Sequence, residues 1–175
     1  DDYEPLILTH DQHGNSEPDC TYLNIRENME KGKSATWLKY ASLIGYQYDI
    51  DYVMKADDDT VLTVPQLAQL AREELPPVPY NTRIYGGPPR PSRTANTLYA
   101  AGELYFMSVD LAYYVGNELT AQQRKDMRTA KRPIEDLDMG TNEYSHPYPI
   151  KFINVEFGSN SILGPQSLDE RGGEL

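Results

Sequence analysis

Hydrophobic residues in this chain fall into short runs with two different spacings, and the alternation predicts strands and helices in turn. Residues 5–9 (Pro-Leu-Ile-Leu-Thr) predict a short buried strand, followed by a polar, turn-rich stretch at 10–19. A loosely alternating run at 20–25 predicts another strand. From Ser34 the spacing lengthens: Trp37, Leu38, Ala41 and Ile44 share one helical face, with Ser34 as N-cap and Gly45 as stop. Residues 50–56 (Ile-Asp-Tyr-Val-Met-Lys-Ala) predict a strand that runs directly into Asp57, Asp58 and Asp59. A second helix follows, with Thr63 as N-cap, Pro65 in the first turn, and Leu67, Leu70 and Ala71 on one face.

Residues 76–91 are rich in proline and glycine, with Arg83, Arg90 and Arg93 nearby, and predict a loop or an edge strand around Ile84 and Tyr85. The apolar run at 98–107 is broken by Gly102 and Glu103. Ser108 is then placed to cap a third helix through Leu111, Ala112 and Val115. Residues 122–132 predict a solvated helix or loop, 151–155 a last strand, and 158–175 a frayed, glycine-rich tail. No internal repeat interrupts this order. Strands alternating with helices predict one α/β sandwich over 1–175, its core within 20–157, with a mixed, partly parallel sheet. In such folds the ligand crevice lies beyond the carboxyl ends of strands, which is where the aspartates fall.

At 175 residues the chain suffices for one domain with a real core, and 14 tyrosines argue against disorder. The formal net charge of -11 would repel a polyanion, so nucleic acid is not an expected partner. Cys20 is the only cysteine, which excludes an internal disulfide and a cysteine zinc cluster. No stretch approaches the roughly 20 apolar residues of a membrane helix. The chain opens without methionine, so it is expected to be a piece of a longer product with any targeting segment upstream.

Three adjacent carboxylates repel one another, and a cation or hydrogen-bond donors must offset that repulsion. With strand geometry, Asp57 and Asp59 face the same side and offer a bite for one Mn²⁺ or Mg²⁺. The bland alternative is a solvated acidic turn that caps the next helix. Glu135-Asp136 likewise reads either as a catalytic pair or as an acidic N-terminal pair on a short helix.

The segment Tyr52-Val53-Met54-Lys55-Ala56-Asp57-Asp58-Asp59-Thr60 resembles the metal-binding segment of the β-1,3-glycosyltransferase superfamily, which includes galactosyltransferases and Fringe-type enzymes. Three more motifs follow that family's order. Glu27-Asn28, with Gly32-Lys33-Ser34, resembles the stretch before the metal strand in plant and fungal-type members. Tyr85-Gly86-Gly87 and the segment from Tyr99 through Gly102-Glu103 to Ser108 resemble the acceptor-side glycine segment. Glu135-Asp136-Leu137-Asp138-Met139-Gly140 resembles the "E-D-x-x-x-G" element.

The resemblance implies a GT-A-like (Rossmann-like) α/β sandwich, incomplete at its N-terminus, that transfers a hexose from a UDP-sugar to a glycan or glycoprotein hydroxyl with inversion. It implies Mn²⁺ or Mg²⁺ on Asp59 and Asp57, a general base at Asp136 supported by Glu135, and substrate contacts at Lys55, Asp57, Asp58, Gly102 and Glu103. Asp58 would contact the ribose or sugar. It also implies residence in the Golgi lumen, with membrane attachment only through an upstream segment. Three departures from the family stand out: no histidine follows His146 to complete the metal set, the family's first strands of the nucleotide-binding half are expected to be absent or shortened before Asp1, and Leu104 replaces a second family glycine. His146 itself sits in a Ser-His-Pro-Tyr-Pro turn and reads as a surface-loop residue or, alternatively, as a metal ligand. Trp37, Tyr99 and Tyr105 read as core or as sugar-stacking rings. Two other readings stay open: a non-catalytic degenerate transferase fold that binds glycan or protein, and a haloacid-dehalogenase-type phosphatase using Asp57 and Asp59.

Overall fold

The most apolar run of the chain, Leu104–Ser108 (β8), becomes a fully buried strand on which the rest is assembled. The computed structural model describes residues 7–8, 13–18, 20–25, 32–57, 60–92, 97–128, 134–155 and 162–163. In chain order they form β1 (Ile7–Leu8), β2 (Tyr22–Leu23), α1 (Lys33–Gln47), β3 (Tyr52–Ala56), β4 (Val61–Leu62), α2 (Val64–Glu73), β5 (Ile84–Gly87), β6 (Pro89–Pro91) and β7 (Leu98–Ala100). After β8 come α3 (Val109–Tyr113), α4 (Ala121–Asp126), α5 (Glu135–Tyr144), β9 (Lys151–Asn154) and β10 (Ile162–Leu163). A π-helical turn, Tyr114–Glu118, extends α3.

The main sheet has the order β3-β8-β5-β9. β8 runs antiparallel to both neighbours, and β5 pairs with β9 in parallel, so the sheet is mixed and partly parallel as the alternation predicts. Three two-stranded ladders, β1-β2, β4-β10 and β6-β7, surround it.

Because side chains alternate across a strand, β8 feeds two cores. Tyr105 and Met107 join Leu38, Val53, Tyr85 and Leu111 on the side of α1, α3 and α5. Phe106 turns the other way, towards Leu70 and Leu75 from α2 and its C-terminal end, and towards Ile84 and Ile153. Full burial of one such ring stabilises the fold by about 2–3 kcal/mol. The sheet is therefore covered on both faces.

Two glycines are required by close approach. A Cβ on Gly86 would lie 2.5 Å from the Phe106 ring and 2.5 Å from the carbonyl oxygen of Ile153. On Gly116, in the π-helical turn, a Cβ would lie 2.4 Å from the backbone nitrogen of Lys39, so α1 presses directly on that turn.

Several local expectations are corrected. Ser34 is not the N-cap of α1: Gly32 is, with φ 87, and Ser34 sits inside the helix, its hydroxyl engaged elsewhere. Gly45 does not stop α1, which continues to Gln47, because its missing side chain makes room for Val109. Residues 84–87 form an interior strand between β8 and β9, with all four residues buried, rather than a loop or edge. Thr63 and Ser108 occupy N-cap positions without side-chain caps, and the Ser108 hydroxyl instead accepts from the Ile84 N–H at 3.0 Å. Ala71 is exposed, leaving Leu70 as the buried residue of α2. Within the stretch expected to fray, Ile162–Leu163 pairs with β4.

Candidate active site

The register of the main sheet decides what meets at its end. Val53, Lys55 and then Asp57 follow the face occupied by α1 and α5, and Lys55 stands opposite Tyr105 of β8. The turn that opens β8 carries Gly102 and Glu103. Helix α5 begins with Glu135 and Asp136, so their carboxylates lie at a helix N-terminus, where the macrodipole favours negative charge.

Lys55 is the hub. Its ammonium pairs with Asp57 Oδ1, donates to the carbonyl oxygen of Gly102 at 2.9 Å, and lies 3.8 Å from Glu135 Oε2. It also sits 5.5 Å from the centre of the Tyr105 ring, within cation–π range. Lysine suits this place because one compact charge serves three oxygens in different directions.

Glu135 is held from three sides. Besides Lys55, its Oε1 accepts from the Tyr105 hydroxyl at 2.9 Å and from the Ser34 hydroxyl. Burial, followed by the neighbouring Glu135 charge, holds the Tyr105 phenol well above its usual pKa, so Tyr105 is a fixed donor here. Ser34 and Tyr105 are thus positioning residues that the pattern assigned to a cap and to a core or stacking ring. Only the packing of α1 and β8 against the start of α5 reveals them, and nothing in the local sequence marks that contact.

Asp136 is half-buried. Its Oδ1 accepts from the Leu137 N–H at 2.8 Å, and its Oδ2 accepts from the Gly102 N–H at 3.2 Å. Desolvation raises its pKa above the ordinary 3.8, with Glu135 adding to the effect and the N–H donors opposing it. Gly102 therefore touches both halves of the site: its N–H holds Asp136 and its carbonyl holds Lys55. A Cβ at Gly102 would meet nothing closer than Asp136 Oδ2 at 3.6 Å, and both contacts are made by its main chain.

Glu103 ties the same turn down. Its carbonyl accepts from the Asp57 N–H at 3.3 Å and from the Thr60 hydroxyl at 3.1 Å, while its carboxylate lies 3.4 Å from Arg90. Asp58 and Asp59 lie outside the described residues. Among the described residues, no group of three or more histidine, cysteine, aspartate or glutamate side chains is close enough to hold a metal ion.

A cleft of about 570 Å³ opens beside Lys55 and Asp57, with Lys33, Ser34 and Trp37 of α1 and Leu23 of β2 on its walls. Trp37 thus packs on the core and lines the cleft as well. Tyr99, half-buried, packs against Gly140 of α5. His146 stands in the turn after α5, with its ring 4.7 Å from that of Tyr114 and its Nδ1 accepting from the Tyr148 N–H at 3.1 Å. That is a turn-stabilising role.

No protein-family model matches the chain, and no curated protein matches it significantly.

Proposed function

We propose that this chain carries the catalytic half of a metal-dependent hexosyltransferase with a GT-A-like fold, which moves a sugar from a UDP-sugar to a glycan or glycoprotein hydroxyl with inversion. The observation that carries this reading is the bridge through Gly102, which brings the half-buried Asp136 to the same end of the sheet as Asp57. An inverting transfer needs a carboxylate that takes the acceptor proton while charge develops on a departing diphosphate on the other side.

In this reading Asp136 is the base. It keeps lone pairs beyond its two backbone donors, and its raised pKa makes it a better proton acceptor than an exposed aspartate. Glu135 is the positioning residue that holds the start of α5 against α1 and β8. Lys55, Gly102 and Glu103 fix the turns on which substrate would rest. The donor is assigned to the cleft lined by Trp37 and two lysines, Lys33 and Lys55, whose charges suit a diphosphate.

Mn²⁺ or Mg²⁺ fits the chemistry of the donor set, since carboxylate oxygens suit hard cations. Asp57, partly exposed and with Oδ2 unpartnered among the described residues, would hold the ion together with Asp59. When bound, the ion supplies Lewis-acid stabilisation of the diphosphate charge. The reading further assigns the full protein to the Golgi lumen, anchored upstream. Among the described residues no helix is long and apolar enough to cross a membrane.

The test is manganese-dependent release of UDP from a panel of UDP-hexoses, measured for the chain and for Asp57→Asn and Asp136→Asn. Loss in both variants supports the reading; equal rates in all three proteins exclude it. One observation favours a second reading, a transferase fold that binds glycan or protein without turnover: Lys55 occupies Asp57 Oδ1, where a metal ion would compete with it. Saturable glycan binding without UDP release in any variant would select that reading.

A further inference from the structure

At the opposite end of the main sheet from Asp57, the starts of β5 and β9 border a second groove of about 580 Å³. The register puts it there: β5 and β9 run parallel to each other, and β5 runs against β8 as β3 does, so Ile84 and Lys151 lie far from the site turn. The groove runs between the loop carrying Pro79 and Tyr80 and the segment carrying Pro149 and Lys151, with Arg83 between them.

Three features distinguish it from ordinary surface. First, its described lining contains two cations, Arg83 and Lys151, and no carboxylate, on a chain whose net charge is -11. Neither cation forms an ion pair with a described residue. Two carboxylates are tied to this region: Asp110 accepts from the backbone N–H of Arg83 at 3.0 Å and so holds the main chain rather than the guanidinium, and Asp51 accepts from the Asn81 side chain at 2.8 Å. Second, aromatic rings stand open beside the cations. Tyr80 is 74% exposed and Tyr148 63%, and the Arg83 guanidinium lies 5.8 Å from the centre of the Tyr148 ring. Third, Arg83 has φ 55, a left-handed conformation that glycine or asparagine adopts more readily. The chain keeps an arginine where the backbone alone would favour another residue.

We propose that this groove binds an anionic saccharide, whose acid group sits between Arg83 and Lys151 while its ring face lies on Tyr80 or Tyr148. A volume of this order suits one or two sugar rings. Open tyrosines offer apolar faces to ring C–H groups at little ordering cost, and a cationic island in an acidic field selects for a local negative charge. The site is separate from the Lys55 cleft, and it stands whether or not the transferase reading holds.

Calorimetric titration and two-dimensional amide NMR with a sulfated disaccharide test it, with the unsulfated disaccharide and sodium sulfate as the other arms. The expected result is saturable binding of the sulfated disaccharide, with shifts confined to residues around Tyr80, Arg83, Tyr148 and Lys151. Arg83→Gln, at a half-buried residue, and Lys151→Gln, at an exposed one, should each weaken it about tenfold, equivalent to about 1.4 kcal/mol. Tyr80→Ala should weaken it without changing any affinity for sulfate alone. Equal binding of the unsulfated disaccharide, sulfate binding as tightly as the sugar, or unchanged affinity in both charge variants would each overturn the proposal.

Discussion

Ser34 of α1 and Glu135 of α5 are 101 positions apart in the chain, and the Ser34 hydroxyl donates to Glu135 Oε1. The Tyr105 hydroxyl of β8 donates to the same oxygen at 2.9 Å, so one carboxylate fastens three elements at the candidate site. Ser34→Ala and Tyr105→Phe should each cost about 1 kcal/mol, the usual net worth of such a bond. The double variant should cost more than the sum, because only then does Glu135 lose both hydroxyl donors. Urea denaturation of the four proteins measures this coupling.

Lys55→Met should cost about 1–3 kcal/mol, since it leaves Asp57 and Glu135 without their shared cation in a site that is largely but not fully enclosed. It should also tighten Mn²⁺ binding if the lysine competes for Asp57, as an isothermal titration would show. Weaker uptake in the variant would mean that Lys55 does not compete.

Asp136→Asn should leave the fold intact and lower the transfer rate by roughly 10²–10⁴, the range for loss of a general base. A base works only when ionised, and burial holds the Asp136 pKa above the ordinary 3.8. The rate should therefore fall as pH drops, beginning at a higher pH than for an exposed aspartate. A pH–rate profile whose acid limb matched an ordinary aspartate would contradict the assignment.

Much of this architecture is visible in the spacing of apolar residues. The helical face of Trp37, Leu38 and Ala41, the strand that runs into Asp57, and the break at Gly102 and Glu103 all reappear in place. What local pattern misses is contact between distant elements. Ser34 looks like a cap, but it is buried against Glu135 because α5 packs there. The stretch 84–87 looks like an edge because glycine and proline flank it. It becomes an interior strand because Gly86 lets Phe106 and β9 close in. Lys55 interrupts an apolar strand on paper. In space it is the group on which Asp57, Gly102 and Glu135 converge.

Glu143, in the last turn of α5, is fully buried, and neither carboxyl oxygen has a hydrogen-bond partner among the described residues. Burial, with the charge of Asp110 adding, holds its pKa well above 4.5. The folded chain therefore binds this proton more tightly than the unfolded chain. The stability it contributes is complete below the unfolded pKa and is lost as pH rises through the folded value. Glu143→Gln should thus be more stable than the parent at pH 7 and close to it at pH 4. Denaturation midpoints at the two pH values decide it, and equal differences at both would refute the role of ionisation.

Gly116→Ala should cost about 3 kcal/mol or more, at the upper end for overpacking, because the added carbon meets the main chain of α1 rather than a movable side chain. Thermal unfolding of the variant would show the loss. An unchanged midpoint would mean that α1 and the π-helical turn can separate freely.

The reversed course of β8 between β3 and β5 ties the candidate site of this protein to its hydrophobic interior. Were its pairing with β3 to shift by one residue, Tyr105 would abandon Glu135 for the α2 side and Phe106 would take its place against a carboxylate. A misaligned ladder would thus dismantle the candidate site and spoil both interiors at once, so correct threading of five residues is a condition for the fold and for the Lys55 cluster alike.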